Sequence, residues 1–170
     1  MGMLLRHLLS VAILPFTVTL LVPLWIAGRY QVAPHLGAGA GELALQLAGC
    51  ALLAVGFGFF VASLRRFATE GEGTLAPWDP PRRLVVRGPY RYVRNPMISG
   101  VVLFLFGEAA VLLSLPHAAW AALFLAINLL YIPLFEEPQL LGRFGESYRE
   151  YTRHVPRVIP RLRPWTQGGA

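Results

Sequence analysis

The sequence predicts an all-α, polytopic membrane protein with about four transmembrane helices and a C-terminal amphipathic helix on the membrane surface. Three observations carry that expectation. Hydrophobic residues make up 55% of the 170 and charged residues only 14%, with a mean hydropathy of +0.53, a balance foreign to soluble domains of this size. Apolar runs long enough to cross a bilayer recur along the chain, separated by polar stretches. The net charge of +6 comes from arginine alone, since lysine is absent, and the arginines gather beside the apolar runs rather than spreading evenly.

The first expected span covers 8–27, which holds no charged residue. Pro15 and Pro23 lie inside it and predict kinks, because neighbouring groups can satisfy the carbonyls that proline frees. A Gly-rich connection, 28–42, leads to the second span, 43–64, with Gln46 its most polar member. There the pairs Ala44/Ala48 and Gly58/Ala62 sit four apart, a spacing that lets another helix approach closely. Arg65 and Arg66 end this span. The loop 65–96 carries seven arginines among Glu70, Glu72 and Asp79, and Trp78 amid Pro77, Pro80 and Pro81 reads as an interfacial anchor. The third and fourth spans, 97–115 and 118–135, are expected to join through a tight Pro116-His117 hairpin. With arginines crowding 65–96 and the tail 136–170, the positive-inside rule puts both termini in the cytoplasm. Loop and tail then share one face of a single domain, 1–170, and together form the expected site.

In the tail, Leu140, Leu141, Phe144, Tyr148, Tyr151 and Val155 recur at steps of three and four, one face of a helix. Pro138 suits its first turn, and Glu136 and Glu137 suit its positive end. Pro156, Pro160 and Pro164 then stop it. Such a helix lies on the membrane surface or folds over the loop.

Several function classes fall away. Cys50 is the lone cysteine, so no intrachain disulfide forms, and four scattered histidines lack ligand spacing, so no metal is expected. Arginines beside spans fit lipid head groups better than nucleic acid. The N-terminus lacks the cleavage pattern of a secretory signal. Glu108 and Asn128 fall within spans at similar depth, either as a hydrogen-bonded pair or as a functional feature.

The densest chemistry lies in RGPYRYVRNPMISG, residues 87–100. Gly88-Pro89 favours a turn, Pro96 biases Asn95 away from the helical region, and Pro96 itself suits the first position of a helix. An arginine-rich loop therefore feeds straight into a membrane helix. The Glu136-Glu137 pair, at the mouth of the fourth span, is expected on the same face. Its plain alternative is a solvated helix end near arginines.

GPYRYVRNPMISG, followed about forty residues later by EEPQLLGRFGESYREYTRHVPRVIPR, resembles the isoprenylcysteine carboxyl methyltransferase and phospholipid methyltransferase superfamily. The resemblance covers 84–160 and implies an integral membrane methyltransferase that uses S-adenosylmethionine without a Gly-rich dinucleotide loop. It implies that Leu84, Val85 and Tyr90 line the cofactor pocket, that Asn95, Pro96 and Ile98 fall on the family's His-Pro-x-Tyr segment, and that Glu136 is the acidic contact with Glu137 beside it. Carboxylates accept hydrogen bonds from ribose hydroxyls or an ammonium, Arg94 can grip a carboxylate in bidentate fashion, and the Tyr90 ring can face a sulfonium. This chain departs from the pattern at Asn95 for histidine, Ile98 for tyrosine, and Ile132 where some members carry a substrate-holding arginine. The catalytic residues stay unassigned. The acceptor is expected to be small or lipid-like, a carboxylate or an amine, entering from the bilayer. Runner-up readings are an NADPH-dependent reductase of the sterol type and a non-enzymatic helical membrane protein. The arginine-for-lysine bias points to a bacterial inner membrane.

Overall fold

The computed structural model describes residues 12–70 and 83–166. The beginning of the expected first span and the Trp78-proline segment, with Glu72 and Asp79, lie outside the described residues. Among the described residues every regular element is helical. A π-helical stretch, Ala12–Leu21, runs into α1, Val22–Tyr30. Then come α2, Ala40–Glu70, α3, Pro96–Val111, and α4, Leu115–Tyr131. A π turn, Ile132–Glu136, carries α4 into α5, Glu137–Phe144, and α6, Glu146–His154, follows.

Two stretches are long and apolar enough to cross a membrane, Ala40–Arg66 with 27 residues and Leu115–Phe144 with 30. At about 1.5 Å per residue each exceeds the roughly 30 Å hydrocarbon layer. Leu47 and Phe57 on one, Leu130 and Leu134 on the other, stand exposed. The core helix of a soluble protein would bury such faces; these suit lipid. Of the other two expected spans, α3 is apolar but only 16 residues long, and the first is interrupted at the change from π to α geometry.

The chain divides into two compact units, and each boundary between them falls inside a helix. The first unit takes the described residues up to Gly58 together with Gly100–Ile127. Its seam is made of glycines seven apart on α2 and α3. A Cβ on Gly56 would stand 2.6 Å from the Gly100 carbonyl oxygen, and one on Gly49 would stand 2.9 Å from that of Gly107. Of the small residues expected at a close approach, Gly58 takes no part: a Cβ there would meet nothing within 4 Å. Gln46, the polar member of α2, donates to the carbonyls of His35 at 2.7 Å and Val111 at 2.9 Å, and accepts from Gly37 N at 3.0 Å. All three bonds satisfy backbone at the ends of elements.

The turn between α3 and α4 lies at 112–114, where Leu113 has φ of 49°. Pro116-His117 was expected to make this hairpin; instead both belong to the first turn of α4, a position that tolerates a missing N–H. His117 Nε2 donates to Pro23 O at 3.2 Å, so its Nδ1 is the acceptor for the Ser114 hydroxyl at 2.7 Å. Trp120 Nε1 donates to Val18 O at 3.1 Å. In the i+5 pattern of the π stretch, the natural donor to Val18 O is the nitrogen of residue 23, which is proline. The indole thus replaces a bond the sequence removes.

Candidate active site

The second unit comprises Phe59–Ser99 and residues from 128 onward. It contains all nine residues singled out from the sequence. Its loop starts at 84–86 without regular secondary structure. Leu84 and Val86 pack on a cluster of Tyr148, Tyr151, Val155 and Trp165, and Val85 is buried. Gly88 then opens a 3₁₀ turn, Gly88–Arg91, with φ of 56°, a conformation that favours glycine, while the Arg66 side chain packs over it. Pro96 begins α3 and is fully buried.

The C-terminal tail is bonded to this loop along its length. Arg94 N donates to Pro156 O, Arg161 N to Tyr92 O and Trp165 N to Arg91 O, each at 2.9 Å. Arg91 Nε returns a bond to Trp165 O at 2.6 Å, and the Tyr151 hydroxyl donates to Tyr90 O at 2.6 Å. The Tyr151 and Trp165 rings meet at a tilt of 40° with centroids 5.9 Å apart, and His154 stacks on Trp165 at 5.2 Å. The expected single tail helix is broken in two. Gly145, with φ of 55°, ends α5 and starts α6, a backbone geometry closed to most other residues. Pro138 sits in the first turn of α5, as expected, with Glu137 beside it, and α4 reaches that helix through the π turn.

An ionic cluster lies beside the aromatic one. Arg94 Nη1 stands 2.7 Å from Glu137 Oε1, and Arg157 grips the same carboxylate through Nε at 2.8 Å and Nη2 at 2.7 Å. The side chains of Arg94 and Glu137 are only 12% and 16% exposed. Arg94 also hydrogen-bonds the Tyr148 hydroxyl, whose pKa is pushed up to about 12, first by burial and then by the charge of Glu137. The Glu137 bond makes Arg157 still more basic than usual. Burial, and secondly the nearby charge of Glu136, raise the Tyr90 hydroxyl well above its ordinary range. Tyr90 therefore stays protonated and is no base.

The two glutamates differ. Glu137 is saturated by two guanidiniums, whereas half-buried Glu136 has no ion pair among the described residues. Arg94 Nε is sealed from solvent and lacks a hydrogen-bond partner among the described residues. Beside the cluster, Glu136 therefore keeps its carboxylate out of any ion pair among the described residues, and Arg94 keeps one buried N–H without a partner there. Asn95 and Ile98, both half-buried at the start of α3, join neither carboxylate. Among the described residues no group of three or more histidine, cysteine or acidic side chains is disposed to hold a metal ion.

Sequence reasoning missed Arg157 and Trp165. The available signal for Arg157 was its place just after Val155-Pro156, in a tail expected to meet the loop. Trp165 lies past the family-like block. Tyr148 and Tyr151 belong to the helix face expected either on the membrane surface or over the loop; they are buried, with Leu84 and Val86 of the loop packed against them.

The family model described as phospholipid methyltransferase matches residues 45–147, from α2 to the start of α6. An α-helical membrane methyltransferase is the class this defines. The chain belongs to the phospholipid methyltransferase family. Over 76 residues it is also 36% identical to methanethiol S-methyltransferase 2 of Bradyrhizobium diazoefficiens, a stretch that covers 43% of this chain and 27% of that relative. The match thus spans about a quarter of the relative's length.

Proposed function

We propose that this methyltransferase takes its methyl group from S-adenosylmethionine and passes it to a small or lipid-like acceptor at the cytosolic face of a bacterial inner membrane. In this reading both termini are cytoplasmic and all four apolar stretches lie in the bilayer. The observation that carries it is the division of labour between the paired glutamates. Glu137 is locked by Arg94 and Arg157, which leaves Glu136 as the acidic group with capacity for a ligand.

The residues fit such a donor. Glu136 would accept from its ribose hydroxyls or ammonium, Arg94 Nε would donate to one of its oxygens, and Tyr90, Leu84, Val85, Pro96 and Ile98 would contribute apolar or aromatic lining, with Asn95 an amide contact. When bound, S-adenosylmethionine supplies a methyl group on a positively charged sulfur, open to in-line displacement. The chain's part is to hold donor and acceptor in line and to exclude water. Protonated Tyr90 and fully charged Arg157 offer no base. An acceptor that arrives as an anion, a carboxylate or a thiolate, needs none; an amine sheds its proton to water.

Two sequence-level alternatives recede. A sterol-type reductase draws no support from a methyltransferase family match, and neither does a non-enzymatic scaffold. A thiol acceptor gains support from the name of the Bradyrhizobium relative.

The test is methyl transfer by the full chain in lipid nanodiscs, with tritiated S-adenosylmethionine and three acceptors: an alkyl thiol, a long-chain carboxylate and a long-chain amine. Label entering the thiol or carboxylate extract supports the reading. No transfer to any of the three, in preparations that bind the donor, rejects this acceptor assignment.

A further inference from the structure

The tail after α6 has an arrangement that the proposed methyl transfer does not use. Val155 and Trp165 are buried and fix its two ends, and the bonds from Arg161 N and Trp165 N to the 91–92 backbone hold it in place. Between these anchors the apolar side chains point out: Ile159 is 78% exposed, Leu162 is 100% exposed and Val158 is exposed as well. Pro156, Pro160 and Pro164 restrict the backbone at intervals of four. The result is a braced loop with apolar tips rather than a loose end.

Charge identifies the occupant. After Glu150 the chain contains no acidic residue, while Arg153, Arg157, Arg161 and Arg163 are basic. Arg157 is taken up by Glu137, and Arg161 uses one Nη to cap His154 O at 2.7 Å. Arg161 and Arg163 therefore flank the exposed Leu162 with positive charge. Apolar tips between arginines are the composition of a segment that sits at the headgroup boundary of an anionic bilayer. The helix expected to play this part is spent elsewhere: the apolar face of α6, Tyr148 and Tyr151, is turned into the aromatic cluster. The same unit also holds the exposed Leu134 and Phe135, lipid-suited residues at the end of the long span.

We propose that residues 158–163 form a membrane wedge, in which Ile159 and Leu162 enter the interfacial layer and Arg161 and Arg163 bind the phosphates of anionic lipids.

The experiment uses the full chain in a Cys50→Ser background, with a single cysteine at Leu162→Cys or, as control, at Ser147→Cys on the exposed side of α6. Each is labelled with an environment-sensitive fluorophore and placed in nanodiscs of phosphatidylcholine, with or without phosphatidylglycerol. Quenching by a shallow lipid nitroxide at position 162 is expected to exceed that at 147 by about fivefold. The excess should grow with phosphatidylglycerol and shrink in the Arg161→Gln/Arg163→Gln variant. Equal, weak quenching at the two positions overturns the proposal. Strong quenching that ignores both anionic lipid and the arginine variant overturns its headgroup half. Protection at 162 that depends on protein concentration assigns the patch to a second copy and overturns it too.

Discussion

Arg94 Nη1 and Glu137 Oε1, 2.7 Å apart in a poorly exposed setting, join the arginine-rich loop to the end of the long α4–α5 helix. Arg157 adds the C-terminal tail to the same carboxylate at 2.7 Å. One side chain thus ties three segments that are far apart in sequence. Glu137→Gln strands two guanidiniums, one of them 34% exposed and so partly solvated. The expected loss is about 2–4 kcal/mol, below the full cost of a deeply buried pair. Thermal unfolding of the detergent-solubilised chain should show a fall of several degrees, and an unchanged midpoint would remove Glu137 from this role.

The second tie is the Tyr151 hydroxyl on Tyr90 O at 2.6 Å. Tyr151→Phe keeps the ring in the aromatic cluster and deletes only the donor, leaving a buried carbonyl without this partner. A loss of about 1–3 kcal/mol is expected, read by the same unfolding assay.

Glycine contact between α2 and α3 gives a paired test. Gly56→Ala places a methyl group 2.6 Å from the Gly100 oxygen and 2.7 Å from Phe104 N, so the helices must separate. A cost of about 1–3 kcal/mol is expected. Gly58→Ala, two residues on and facing open space, should be neutral or slightly stabilising. Equal effects of the two would contradict the seam.

Alkaline pH should unfold the second unit. The Tyr148 hydroxyl is raised from 10.0 to about 12, chiefly by burial, and Tyr90 and Tyr151 are raised further for the same first reason. A raised folded pKa means the folded state holds the proton more tightly than the unfolded chain. The stabilisation is complete below pH 10 and is lost as pH climbs through the folded value. Unfolding midpoints should be flat between about pH 7 and 9 and fall steeply above about 10, with a shallower fall in Tyr148→Phe.

Much of this was legible from the residues. Uncharged runs and arginine clusters foretold helices suited to a bilayer, and the 87–100 and 136–161 blocks foretold the family. What stayed hidden depends on backbone geometry and long-range pairing. Gly145 sits in a helical pattern that runs through it, so only its positive φ reveals the break between α5 and α6. Nothing in the sequence marks Gly49 and Gly56 over Gly58 as the glycines of a close seam, and only the facing Gly100 and Gly107 decide between them. Arg157 carries no local mark of its partner; twenty residues separate it from Glu137.

The central claim is that Glu136 serves the ligand and Glu137 serves the fold. The most direct measurement is calorimetric binding of S-adenosylmethionine to the purified full chain and to its Glu136→Gln and Glu137→Gln variants, with unfolding midpoints recorded on the same samples. Glu136→Gln should weaken binding by about tenfold or more, the loss of a charge-assisted bond, while its midpoint holds. Glu137→Gln should lower the midpoint first. Undiminished binding in a folded Glu136→Gln protein, or no binding by the unaltered chain, would contradict the account.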